Sequence, residues 1–179
     1  MENLREKHKI RSWLEKYSAI TDTLIETGSH EGNGIEAAFA YGFKQVISVE
    51  IQGQYYVYCQ GKFANDITLG RLVLLLGDSV EHIPMMLQIS GNKRCTFWLD
   101  AHIGGPVACP ILEEIAAIGS HSRKDHIILI DDYYDFGTPA HDNITIYQVK
   151  KAILEINPNY QFSREDTGTP GAVLVAKID

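Results

Sequence analysis

The sequence predicts one α/β domain, doubly wound, with helices on both faces of a seven-stranded, mostly parallel sheet. Three observations predict it. Five short apolar runs alternate with helical patterns between residues 23 and 156, and the connections are short. The runs are apolar throughout instead of alternating, as parallel strands covered on both sides should be. The last two strands are separated only by a Thr-Gly-Thr-Pro-Gly loop, which permits a hairpin and so an antiparallel strand. A length of 179 residues suits a single domain, 1–179, with one substantial core.

Residues 3–19 read as an amphipathic helix with Leu4, Ile10, Trp13, Leu14 and Tyr17 near one stripe, so that 1–20 packs outside the core. Thr23–Thr27 is the first strand, and Gly32–Tyr41 the helix after it, ended by Gly42. Gln45–Glu50 and Gln54–Asn65 form the second strand and helix, and Arg71–Gly77 and Ser79–Ile89 the third pair. Thr96–Asp100 is followed by Pro110–Gly119, with proline in the first turn. His126–Ile130 is followed by Ile144–Ile156, stopped by Asn157-Pro158. Tyr160–Arg164 and Ala172–Lys177 complete a Rossmann-like sheet with a C-terminal antiparallel hairpin.

Bulk properties exclude several classes. A formal charge of −7 argues against a nucleic-acid binder that neutralises phosphates. No apolar run approaches the ~20 residues that span a bilayer. The polar start, Met1 to Lys9, is not a signal peptide. Cys59, Cys95 and Cys109 are odd in number and lack C-x-x-C spacing, which fits a reducing cytoplasm and argues against a zinc site. The expected partner is a small molecule, with neither nucleic acid nor membrane; the N-terminal helix and Tyr55-Tyr56 offer surface for a homodimer.

Ligands of an open parallel sheet bind beyond the carboxyl ends of its strands. Here each of the first five strands ends at or near an acid: Glu26, Glu50, Asp78, Asp100 and Asp131-Asp132. After Glu26 come Thr27, Gly28, Ser29, His30, Glu31, Gly32, Asn33 and Gly34, a glycine-rich turn into a helix whose first amides can seat an anionic group. Glu50, with Ile51 beside it, stands where nucleoside-binding folds place an acid for ribose hydroxyls. Asp78, between Gly77 and Ser79, can meet an adenine amino group or cap the next helix. The glycine order G-x-x-x-G-x-G departs from the dinucleotide pattern G-x-G-x-x-G.

The run Glu26-Thr27-Gly28-Ser29-His30-Glu31-Gly32 resembles the first motif of class I S-adenosylmethionine-dependent methyltransferases, acid-x-Gly-x-Gly-x-Gly, with His30 in place of the middle glycine. That departure is similar to the small O-methyltransferases. Val49-Glu50, Gly77-Asp78-Ser79 and Phe97-Trp98-Leu99-Asp100-Ala101-His102 match the second to fourth motifs, so the resemblance covers nearly the whole chain. It implies S-adenosylmethionine as cofactor, with the methionine part at the glycine loop, the ribose on Glu50 and the adenine by Asp78, and a small hydroxylated acceptor such as a sugar or phenol. Metal-dependent O-methyltransferases look similar in placing acids after the fourth and fifth strands. On that pattern Asp100, Asp131 and Asp132 would hold Mg²⁺ or another divalent cation. The lysine of catechol-type enzymes is absent; Ala101, His102 and Ile103 stand there.

Asp100 and His102 are the catalytic candidates, His102 as general base because an imidazole with its ordinary pKa near ~6.5 suits proton transfer. His30 is a weaker candidate. The loop Ile103–Cys109 could close over an acceptor, and Tyr133, Tyr134 and Phe136 could stack on it. Two other readings remain: a domain that binds S-adenosylmethionine but cleaves it, and a non-catalytic binding or scaffold module.

Overall fold

A computed structural model describes residues 2–102 and 108–179 of the chain, so positions 103–107 of the expected Ile103–Cys109 loop lie outside the described residues. The sheet has seven strands in the order β3-β2-β1-β4-β5-β7-β6. They are β1 (Thr23–Thr27), β2 (Gln45–Glu50), β3 (Leu72–Leu76), β4 (Thr96–Leu99), β5 (Ile127–Ile130), β6 (Gln161–Glu165) and β7 (Val173–Lys177). The first five are parallel; β7 runs antiparallel between β5 and β6. The order reverses between β1 and β4, and a crevice at such a switch is where this architecture binds ligands.

Continuous apolar sequence becomes two-sided burial in β1, β4 and β5, every residue of which is buried. One layer centres on Phe97, Ile83, Met86 and Ile115, the other on Leu24, Ile35, Trp98 and Leu129. The expectation of two covered faces fails at β3. That strand is the sheet edge, only Leu72 is buried, and Leu76 is 49% exposed.

The helices are α1 (Glu2–Lys7), α2 (Leu14–Ser18), α3 (Asn33–Ala40), α4 (Gly53–Lys62), α5 (Ala64–Thr68), α6 (Ser79–Ile89), α7 (Ile111–Ser120) and α8 (Ile146–Ile156), with 3-10 turns at Lys9–Arg11 and Pro139–His141. The single helix expected over 3–19 is therefore three short pieces. Trp13 turns inward, its indole N–H donating to the Asp166 carbonyl at 2.6 Å and its ring lying 5.5 Å from that of Trp98. The helix expected over 54–65 breaks at Phe63, whose ring packs where a Cβ on Gly32 would stand. Among the described residues no helix is long and apolar enough to cross a membrane.

Candidate functional site

At the carboxyl ends of β1, β2, β3 and β4 lies a cavity of ≈ 250 Å³. Eight of the residues singled out in the sequence line it: Gly28, His30, Glu50, Ile51, Gly77, Asp78, Ser79 and Asp100. Two of its turns depend on glycine. Gly28 has φ +83°, and a Cβ there would stand 2.6 Å from the Asp100 carbonyl oxygen, so β1 and β4 close up only around a glycine. Gly77 has φ +146°, and the His82 ring occupies its Cβ position.

Glu50 is buried, and its two oxygens accept backbone amides from His30 and Gln52, each at 2.7 Å. Each oxygen keeps a second lone pair, and the residue lines the cavity. His30 reaches Glu50 because its own φ is +44°, and its ring lies 4.1 Å from Tyr55. Tyr55, half-buried, thus contributes its ring to packing on His30. Asp78 caps α6 by accepting the amides of Val80 at 2.8 Å and Glu81 at 3.4 Å while it lines the cavity. The cap expected of it forms, and its position on the cavity leaves it available to a ligand.

Glu26, Thr27, Ser29 and Gly32 stand behind the cavity wall instead of in it. The Glu26 carboxylate fills the space left by the missing Cβ of Gly34, which would lie only 1.8 Å from Oε1. Ser48 donates to Glu26 at 2.6 Å, which leaves Ser29 to donate to Ser48, also at 2.6 Å. Burial raises Glu26 to about 8, against the pull of Ser48. Thr27 Oγ1 accepts the Asp100 amide at 3.3 Å, and Gly32, at φ +75°, caps α3.

Asp100 is pushed up to about 7 by burial and by the charge of Asp131, with Arg11 opposing. Arg11 also favours the charged forms of Glu26 and Asp131, and its guanidinium sits 5.5 Å from the Trp98 ring. The N-terminal segment thus brings a cation to the acids, a part the sequence reading did not assign. Glu114 on α7 was also missed. It is completely buried, and burial raises it to about 7, opposed by the nearby hydroxyls of Ser79 and Thr27. Those hydroxyls lie close without forming well-aligned hydrogen bonds, since neither carboxylate oxygen has a partner among the described residues. Its signal lay in the pattern Ile111, Glu114, Ile115, Ile118, an acid on the apolar stripe of a helix.

His102 differs from expectation as a proton acceptor. It is buried, and burial together with His141 lowers it to about 4, far below the value that suits a general base. The backbone of Asp131 pulls the other way but is not in hydrogen-bonding geometry, and neither ring nitrogen has a partner among the described residues.

The three acids expected to converge on a metal do not form the cluster that the structure brings together. Ligand atoms of His102, Asp132 and His141 lie within 4.8 Å of one another, and Asp132 is the only member shared with the expected set. Asp131 turns its Oδ1 back to the amide of Asp132 at 2.9 Å, and Asp100 Oδ2 accepts the Trp98 indole N–H at 3.2 Å. Tyr133 and Phe136 pack partly buried against the core, while Tyr134 remains 53% exposed.

No family model matches this sequence, and no curated protein matches it either. Solved structures share its fold. An O-methyltransferase from Bacillus cereus in complex with SAH is 10% identical, with a TM-score of 0.66 over 94% of this chain and 80% of that one. The O-methyltransferase TomG from Streptomyces achromogenes, in complex with SAM, is 12% identical with a TM-score of 0.65, covering 94% and 78%. The SAH-bound methyltransferase PaMTH1 from Podospora anserina is 12% identical with a TM-score of 0.65, covering 94% and 77%.

Proposed function

We propose that this chain is an S-adenosylmethionine-dependent methyltransferase that methylates an oxygen of a small hydroxylated molecule of the sugar or phenol kind. The observation that carries the reading is the cavity itself: Gly28, Glu50, Asp78 and Asp100, each from the end of a different strand, meet around one space at the switch in strand order. The donor set fits a nucleoside. Glu50 has lone pairs to spare for two ribose hydroxyls, and Asp78, on the same cavity, offers an acceptor for a base. Similarity in fold to proteins solved with SAM or SAH supports the same occupant.

When bound, the cofactor supplies an electrophilic methyl group on a good leaving group, so the protein's work is alignment and proton removal. Asp100 lines the cavity with a carboxyl near 7, which makes it the base best matched to neutral pH. Gly28, Glu50 and Asp78 would hold the cofactor, and Asp100 would take the proton of an acceptor hydroxyl placed beside it.

Calorimetric titration with S-adenosylhomocysteine tests the reading. The wild-type chain should bind one equivalent, and Glu50→Ala should weaken binding by more than about tenfold, since hydrogen bonds to a charged acceptor are worth roughly 1.5–3 kcal/mol each. No heat of binding with the wild type would overturn the proposal.

A further inference from the structure

Two buried imidazoles and a carboxylate meet beside the cofactor cavity without bonding to one another. His102 and His141 are 4% and 3% exposed, with ring centroids 4.7 Å apart, and none of their four ring nitrogens has a hydrogen-bond partner among the described residues. A ligand oxygen of Asp132 lies within 4.8 Å of both. A buried polar atom left unpaired costs about 1–3 kcal/mol, so these unpartnered nitrogens favour an occupant. Had the residues satisfied one another, an imidazole N–H would donate to Asp132 or to the second imidazole; neither contact forms.

The surroundings hold the three side chains in place. Phe136 packs on His102 at 5.7 Å and on His141 at 4.7 Å, an apolar wall on the cluster. Asp132 is held at φ +54°, a left-handed state that aspartate tolerates, with its amide bonded to Asp131. The turn carrying His141 is tied to the chain downstream of His102 by the Cys109 amide, which donates to Asp142 at 2.7 Å.

We propose that His102, Asp132 and His141 form a site for one divalent cation of the borderline transition-metal class, with zinc and cobalt as representatives. Two imidazoles and one carboxylate suit these ions, whereas magnesium and calcium prefer oxygen alone. Bonds of about 2.0–2.2 Å would set the ligand atoms of a tetrahedral site about 3.3–3.6 Å apart. Asp132 is exposed and can swing inward to close the difference. Three protein ligands leave coordination positions open. Ala101, next to His102, lines the cofactor cavity, so the cluster lies one residue along the chain from the proposed acceptor region. The role of orienting the acceptor hydroxyl rests on the methyltransferase reading; the binding of the ion does not.

The test uses the tag-free full chain, stripped with chelator and free of S-adenosylmethionine. Co²⁺ is followed by its visible absorption and Zn²⁺ by calorimetry. One equivalent should bind, millimolar Mg²⁺ should not displace it, and His102→Ala and His141→Ala should each weaken it by more than about 100-fold, beyond the roughly 10–100-fold cost of losing a supporting hydrogen bond. Asp100→Asn and Asp131→Asn should retain binding within about threefold. Should an alanine variant fail to fold, His141→Asn replaces it, and Zn²⁺ should raise the melting temperature of the wild type but not of that variant. Absence of saturable uptake, or loss of uptake in Asp100→Asn and Asp131→Asn with retention in the histidine variants, would overturn the site. Titration of the same samples with S-adenosylhomocysteine reads the cofactor proposal separately, so either can fail alone.

Discussion

Glu114→Gln should remove a pH dependence of stability that the wild type carries. The wild-type carboxyl is completely buried and sits at about 7 instead of its ordinary 4.5, because burial disfavours the charged form more than the hydroxyls of Ser79 and Thr27 favour it. Between pH 4.5 and 7 the folded chain therefore keeps a proton that the unfolded chain has released. Stability must fall as pH rises through that window, and the loss is complete above it. At 1.36 kcal/mol per pKa unit the loss is on the order of 3 kcal/mol. Glutamine has nearly the same shape and does not titrate. Urea unfolding followed by circular dichroism from about pH 4.5 to about pH 8 measures the effect. Glu26 and Asp100, also raised by burial, titrate in both proteins and largely cancel in the difference. The variant should gain on the wild type by about 3 kcal/mol across the range. Parallel curves would show that Glu114 is not the buried acid described.

Two further substitutions separate scaffold from site. Gly28→Ala should lower stability by several kcal/mol, because a Cβ there meets the Asp100 carbonyl at 2.6 Å in addition to the left-handed strain; Gly91→Ala, at φ +70° with nothing within 4 Å, should cost only the strain, about 1–2 kcal/mol. Equal melting temperatures for the two would refute the close approach of β1 and β4. Asp78→Ala should cost about 1 kcal/mol of stability through the lost cap of α6, and calorimetry should show weaker binding of S-adenosylhomocysteine as well. Lost stability with unchanged affinity would leave Asp78 a cap alone.

The sheet was legible because its signals are local. A run such as Gln45–Glu50 carries its strand character in six adjacent residues, and the structure ends it at the same residue. What failed depends on partners far along the chain. Trp13 fits the stripe of one long helix, but its best hydrogen bond lies 153 residues away at Asp166, and making it breaks that helix into pieces. Phe63 likewise ends α4 to place its ring against Gly32. Periodicity reports which residues turn inward, not which tertiary contact bends the backbone to let them.

The candidate site divides on the same line. Acids at strand ends are visible because the architecture dictates that strand ends face the ligand, and Glu50, Asp78 and Asp100 duly line one cavity. The side chains one step further on obey no such rule. Asp131 and Asp132 are neighbours in sequence, yet the left-handed φ of Asp132 sends them apart, one to its neighbour's amide and one to the histidines. His141, 39 residues beyond His102, sits in a turn that carried no helical or strand pattern. Its surroundings did hold a signal: Pro139 opens the turn, and Asp142 and Asn143 close it in the left-handed region that Asp and Asn tolerate best. The turn buries His141 with both ring nitrogens lacking a partner among the described residues.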